Sequence, residues 1–184
     1  MPIQYYCADM KKKQIAAICG STRSQSTNQL YLKAIEALLP ESFELIEPMS
    51  IDQLPHFNPD MDNSDVPENV ALFRNILKGA AAIIICTPEY AMGVPGSLKN
   101  AIDWTVSSCE FSHKPTALIT ASLSGIKAHA ALLETLKVIE AVVMENTQLV
   151  IPFAKTKINS NATITDEATR EAITSVIENL IRQL

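Results

Sequence analysis

Ile15-Ala16-Ala17-Ile18-Cys19-Gly20-Ser21-Thr22-Arg23-Ser24-Gln25-Ser26-Thr27-Asn28 divides at Gly20 into a short apolar run and a polar turn. The run Ile15–Cys19 has the length and composition of a buried strand. After the turn, Tyr31, Ile35, Leu38 and Leu39 fall on one helical face, and Pro40 ends the pattern. Strand, hydroxyl-rich turn and helix start is an arrangement that captures phosphate. The first N–H groups of a helix lack intrahelical partners, and the dipole there favours negative charge. Hydroxyls donate without adding bulk, and Arg23 offers a planar charged fork for phosphate oxygens. The turn carries neither G-x-x-x-x-G-K-[ST] nor G-x-G-x-x-G, and Gly20 is its single glycine. A turn rich in side-chain donors suits a terminal monophosphate with several free oxygens. A cysteine phosphatase loop is not expected, because Arg23 follows Cys19 too closely to complete a ring around a phosphoryl group.

A second stretch carries as much information. Ala81–Cys86 is an unbroken apolar run, as expected of a strand covered on both faces of a parallel sheet. Pro88 stops it, and Pro95 can open the next helix, where a first-turn proline loses no hydrogen bond. The intervening loop presents Tyr90 and Met92, one flat and one polarizable group, at the carboxyl end of a strand.

The period then alternates along the chain. Strands are expected at Ile15–Cys19, Phe43–Glu47, Ala81–Thr87, Thr116–Thr120 and Gln148–Ile151. Helices are expected at Asn28–Leu39, Pro67–Lys78, Pro95–Ser107, Ile126–Val142 and Asp166–Arg182, the last with Thr165 as its N-cap. Five strands alternating with five helices imply an α/β fold with a parallel sheet covered on both faces. Ligands in such sheets bind beyond the strand carboxyl ends, where strand order reverses. In a 2-1-3-4-5 order, the turns after strands one and three flank that point, and both informative motifs lie there.

Gly20-Ser21-x-Arg23-x-x-Ser26-x-Asn28 followed by Pro88-Glu89-Tyr90 and Pro95-Gly96-x-Leu98-Lys99-Asn100-Ala101-Ile102-Asp103-Trp104 resembles the NADPH-dependent FMN reductase family. That family has a flavodoxin-like fold and includes flavin, quinone, azo-dye and chromate reductases. The likeness runs from about residue 14 to the end. It implies a three-layer sandwich over residues 14–184, with FMN phosphate held by Ser21, Arg23, Ser26, Thr27 and Asn28. It implies isoalloxazine contacts from Pro88, Glu89, Tyr90, Ala91 and Met92. NADPH or NADH is the implied co-substrate, with hydride passing to flavin N5 and no catalytic side chain or metal. A small acceptor (flavin, quinone, azo compound or similar) and a homodimer or homotetramer are implied as partners. Two positions depart from the family. Ala91 stands where asparagine is usual, and the third flavin loop, Ala121-Ser122-Leu123-Ser124-Gly125, has one glycine, so Ser122 and Ser124 are expected to donate instead. On this reading Ala91→Asn shifts flavin potential or turnover more than folding stability.

Composition fits one domain. A chain of 184 residues with 47% apolar content can build one good core. The net charge of −5 provides no basic surface for nucleic acid. No apolar run approaches the roughly 20 residues that span a bilayer, and the N-terminus shows no signal-peptide pattern. The four cysteines, Cys7, Cys19, Cys86 and Cys109, show no paired spacing, which points to a reducing cytoplasm. Residues 1–13 are expected to be a flexible tail, with Met10 an alternative start. The acidic loop Asn58–Asp65 lacks the glycine and glutamate of a calcium loop and is expected to be solvated. Arg23 has a simpler alternative role, pairing with Glu36 or Asp103, and Trp104 one in helix packing. Glu89 is expected to bond the flavin or a neighbouring subunit. Two rival functions are an electron carrier of the flavodoxin type and a flavin-fold regulatory module.

Overall fold

The structure, a computed structural model, describes residues 11–184. Cys7, Met10 and all but the last residues of the expected tail lie outside that range. Five parallel strands form one sheet: β1 (Lys13–Cys19), β2 (Phe43–Ile46), β3 (Ala82–Thr87), β4 (Thr116–Ala121) and β5 (Gln148–Ile151), in the order β2-β1-β3-β4-β5. This is the flavodoxin-like order expected from the sequence. Lys13 already pairs with Phe43, so the first strand takes in one residue assigned to the tail.

Five helices cover the sheet: α1 (Thr27–Leu38), α2 (Glu68–Gly79), α3 (Gly96–Asp103), α4 (Ile126–Val138) and α5 (Glu167–Ile181). Strand side chains alternate between the two faces. Ile15, Ala17, Ile84, Cys86 and Ile119 pack under α1 and α5. Ala16, Ile18, Ile83, Ile85 and Leu118 pack under α2, α3 and α4. The three inner strands are therefore buried on both faces over Ala16–Ile18, Ala82–Thr87 and Thr116–Ala121, whereas β2 and most of β5 are only half-buried at the edges.

Several boundaries differ from the sequence expectation, each for a local reason. Helix α3 stops at Asp103, not Ser107, because Trp104 turns inward. Its indole Nε1–H donates to Pro55 O at 2.8 Å, and its ring meets Phe57 edge-on at 5.0 Å. Packing thus accounts for Trp104. Helix α4 stops four residues early, where Glu140 takes φ 60° and Ala141–Val142 extend to pair with the start of β4. Asp166, not Thr165, caps α5: its carboxylate accepts from Thr169 N at 3.0 Å. The Thr169 hydroxyl, which donates to the same carboxylate, and then this backbone bond hold the Asp166 carboxyl below the usual carboxylate range. The acidic loop is tied down rather than simply solvated, because Asp62 pairs with Arg74 at 2.7 Å and Arg74 Nε–H donates to Trp104 O. No helix among the described residues is long and apolar enough to cross a membrane.

One contact fixes how the strands end. A Cβ built on Gly20 would lie 2.2 Å from Thr87 Oγ1 and 3.0 Å from Thr87 Cα. The carboxyl ends of β1 and β3 close on each other there, with Gly20 N donating to Cys86 O at 2.8 Å. Gly20→Ala is predicted to destabilise the protein by about 1–3 kcal/mol through overpacking. An unchanged urea midpoint would show that Thr87 has room to give. Asp62→Asn is predicted to cost about 1 kcal/mol at neutral pH. The Arg74 hydrogen bond depresses the folded-state pKa of Asp62, so this stability is present above the usual carboxylate pKa and disappears as pH falls through the lowered value. Urea titrations of the two proteins at several pH values should therefore converge in acid.

Candidate active site

The turn after β1 is shaped by its own hydroxyls. Ser26 takes extended backbone at the N-cap of α1, and its Oγ accepts from Gln29 N at 3.3 Å. Its own O–H remains a donor. Asn28 is buried, and its Oδ1 accepts the Cys86 thiol at 3.3 Å, leaving both Nδ2 hydrogens free. Ser21 Oγ lies 3.4 Å from Tyr90 Oη, linking the β1 turn to the β3 turn. Arg23 is exposed, and among the described residues its guanidinium makes no ion pair or hydrogen bond. Asp103, one of its alternative partners, pairs with Lys99 instead.

These groups enclose a cavity of about 390 Å³. One end is lined by Ser21, Arg23, Ser26, Thr27 and Asn28, and the other by Pro88, Tyr90, Ala121 and Ser122. Among the described residues no aspartate or glutamate lines it, and Arg23 and Lys155 do. A dianion fits this donor set, and the flat apolar surface at the opposite end fits an aromatic ring. The two thiols beneath the turn add no charge. Burial raises the pKa of Cys19 and pushes that of Cys86 well up, so both stay protonated. A nucleophilic cysteine needs the opposite shift.

The structure does not bring every expected residue to the cavity. Glu89, Ala91, Met92 and Ser124 lie outside its lining. The Glu89 carboxylate is occupied elsewhere: Oε2 accepts from Ala128 N at 2.8 Å and Oε1 from Gly125 N at 3.3 Å. It caps α4, whose own N-cap is a glycine without a side chain. Its backbone N–H donates to Ser122 Oγ at 3.1 Å. Glu89 therefore bolts the third loop to the second. Gly125 itself stands at φ 90°, against Thr120. Ser124 faces an outer depression with Ile126 and Phe153.

A fourth wall was missed in the sequence. Leu123 and the segment Phe153–Thr156 also line the cavity. Phe153 N donates to Leu123 O at 3.1 Å, Ala154 N donates to Ser122 O at 3.0 Å, and buried Tyr31 donates through Oη to Ala154 O at 2.9 Å. No motif marks this segment. The signal available was topological, since the loop after β5 leaves the same sheet edge as the other three. Phe153 holds φ 53°, an unusual value for a bulky residue at the mouth of a cavity.

Tyr90–Gly93 is a two-residue hairpin closed by Tyr90 N to Gly93 O at 3.1 Å and Gly93 N to Tyr90 O at 2.9 Å. Ala91 and Met92 both take positive φ, 48° and 61°. Such a turn favours Asn-Gly, and left-handed backbone costs an L-residue on the order of 1 kcal/mol. Ala91 thus carries backbone strain outside the cavity lining.

The sequence profile described as NADPH-dependent FMN reductase matches residues 14–156, ending before α5. A 2-hydroxy-1,4-benzoquinone reductase of Burkholderia sp is 30% identical over 171 residues, covering 90% of this chain and 92% of that protein. An NAD(P)H-dependent FMN reductase of Pseudomonas aeruginosa is 31% identical over 172 residues, covering 91% and 92%. Among solved structures, FerB, a flavoenzyme NAD(P)H:(acceptor) oxidoreductase from Paracoccus denitrificans, superposes with a TM-score of 0.83 at 28% identity, covering 92% of this chain and 96% of that one.

Ala91→Asn is predicted to raise stability by about 0.5–1 kcal/mol, because asparagine tolerates left-handed backbone. This reverses the weighting drawn from the family pattern alone. A thermal midpoint that stays level or falls would refute it.

Proposed function

The chain belongs to the NADPH-dependent FMN reductase family, and from that premise we propose that its cavity holds FMN between the β1 and β3 turns and passes electrons to quinone-type acceptors. It is an NAD(P)H-dependent flavoenzyme, and FMN is its cofactor. When bound, the flavin accepts hydride from the reduced nicotinamide and hands electrons on, chemistry that no side chain supplies. The residues that carry the proposal are Ser21, Arg23, Ser26, Thr27 and Asn28 toward the phosphate, with Pro88, Tyr90 and Ser122 toward the ring. The observation behind it is that two motifs some sixty residues apart line a single cavity without an acidic side chain.

In this reading each residue has a definite task. Arg23 neutralises the phosphate and chelates two of its oxygens. The Ser26 hydroxyl and the Asn28 amide donate from fixed positions, because their acceptor atoms are already engaged by Gln29 N and the Cys86 thiol. Pro88 offers a flat face, and Tyr90 braces the turn through Ser21. Glu89 positions the ring wall from behind by holding Gly125 and Ala128. Donor and acceptor must alternate on the ring face, which this reading leaves open to solvent.

Quinones are favoured as acceptors because they are flat and apolar, like the exposed side chains at the mouth. Tyr90, Leu123 and Phe153 of the lining are all more than a third exposed. Exposed apolar side chains at Tyr90, Met92, Leu123, Ile126 and Phe153 also favour burial against a second copy, giving a homodimer or homotetramer. Sedimentation should then report a multiple of the 20.1 kDa chain mass.

Two measurements test the function. Under nitrogen, the FMN-loaded protein mixed with NADPH should lose its visible flavin absorbance and regain it on addition of 1,4-benzoquinone. Absence of the first change would contradict the reductase reading, and faster turnover with free FMN than with the quinone would contradict the acceptor. Arg23→Ala removes a charge-assisted contact of roughly 1.5–3 kcal/mol, so the FMN dissociation constant should rise on the order of 10- to 100-fold. An unchanged constant would remove Arg23 from the site.

A further inference from the structure

The polar turn after β1 is not alone at the phosphate end of the cavity. Lys155, from the loop after β5, lines that cavity with Arg23, Ser26 and Thr27. Lys155, Ser26 and Thr27 also border a separate depression behind the turn, which none of Pro88, Tyr90 and Ser122 lines. The shared border sets Lys155 beside the turn and away from the residues assigned to the ring.

The fold holds the Lys155 backbone in that place. The short turn Ala154–Thr156 is closed by Thr156 N donating to Phe153 O at 3.0 Å and Lys157 N donating to Ala154 O at 3.2 Å. Ala154 is buried, and its carbonyl accepts the Tyr31 hydroxyl at 2.9 Å. Tyr31 is buried on α1, one turn beyond Thr27, so α1 carries both the end of the phosphate turn and the anchor of Lys155. Burial pushes the Tyr31 phenol far above the usual tyrosine range, which keeps it a donor. The charge of Lys155 is uncommitted. Lys157, two residues on, faces Asp166 at 3.9 Å, whereas among the described residues Lys155 makes no ion pair. A phosphate monoester carries roughly −1.5 to −2 at neutral pH, of which Arg23 neutralises about half.

We infer that Lys155 is a second cationic contact to the flavin phosphate, brought there by Tyr31, and that it favours the phosphorylated flavin over riboflavin. The inference rests on the placement of the phosphate at the β1 turn. Arg23 reaches the group from that turn, and Lys155 reaches it from the loop after β5. The planar guanidinium chelates two oxygens, and the ammonium acts as a point charge on what remains. Tyr31 is a positioning residue: it does not line the cavity, and it acts through the backbone of Ala154.

Fluorescence titration of the full chain with FMN and with riboflavin tests the inference. Lys155 is exposed, so its variants should fold. Lys155→Arg should hold the FMN dissociation constant within about threefold, Lys155→Gln should raise it about tenfold, and Lys155→Glu about 100-fold. None should move riboflavin by more than about twofold, and added salt should narrow the FMN differences. Tyr31→Phe should weaken FMN about threefold in the unsubstituted chain and not at all in the Lys155→Gln background. An FMN constant that ignores the charge at position 155, or equal losses for FMN and riboflavin, would overturn the inference while leaving Arg23 and the turn in place. A Tyr31→Phe loss that persists undiminished in the Lys155→Gln background would overturn the part given to Tyr31. Equal FMN and riboflavin constants in the unsubstituted protein would overturn the phosphate placement, and this inference with it.

Discussion

The contact between Gly20 and Thr87 is the constraint on which the site depends. Parallel pairing aligns Cys19 with Cys86, where β1 ends, and β3 runs one residue further to Thr87, which stands beside Gly20. The next residue of each chain must then diverge around the other. Any side chain at position 20 would meet Thr87. The glycine lets the two strand ends stay in register until the sheet stops, so the turns that follow start side by side. Their closeness is visible in the approach of Ser21 to Tyr90. A crevice at a strand-order reversal is a general property of such sheets. What is particular here is that its two walls are drawn together by the absence of one Cβ.

The electrostatics follow from the same arrangement. Two thiols and a carboxylate lie close to the proposed phosphate and ring positions, and none presents negative charge to the cavity. Burial keeps Cys19 and Cys86 protonated. The Glu89 carboxylate is drawn away by two backbone N–H groups at the start of α4. Arg23 remains uncommitted. The cavity is therefore positive where a phosphate is expected and neutral where a flavin ring is expected. Strain is placed outward, at Ala91 and Met92 and at Phe153, on the rim rather than beneath the phosphate turn.

Much of this was legible in the sequence because it is local. The apolar runs Ile15–Cys19 and Ala81–Cys86 have the length and composition of buried strands, and the polar turn at Gly20 marks the end of the first. The strand order was legible through the family pattern and the alternation of elements. Long-range side-chain commitments were not. Glu89 looked available because the N–H groups that occupy it belong to residues 125 and 128, far along the chain. Phe153–Thr156 looked featureless because its place in the site comes from the sheet edge and from the Tyr31 hydroxyl, not from its own residue types. Helix ends were misjudged where tertiary partners override the helical period, as Trp104 does by turning toward Pro55.

A crystal structure of the protein grown with FMN tests the central claim most directly. The account predicts phosphate density within hydrogen-bond distance of Ser21, Ser26, Asn28 and the Arg23 guanidinium, with the ring lying against Pro88 and Tyr90. Phosphate density outside the Ser21–Asn28 turn, or a ring bound with that turn empty, would contradict it.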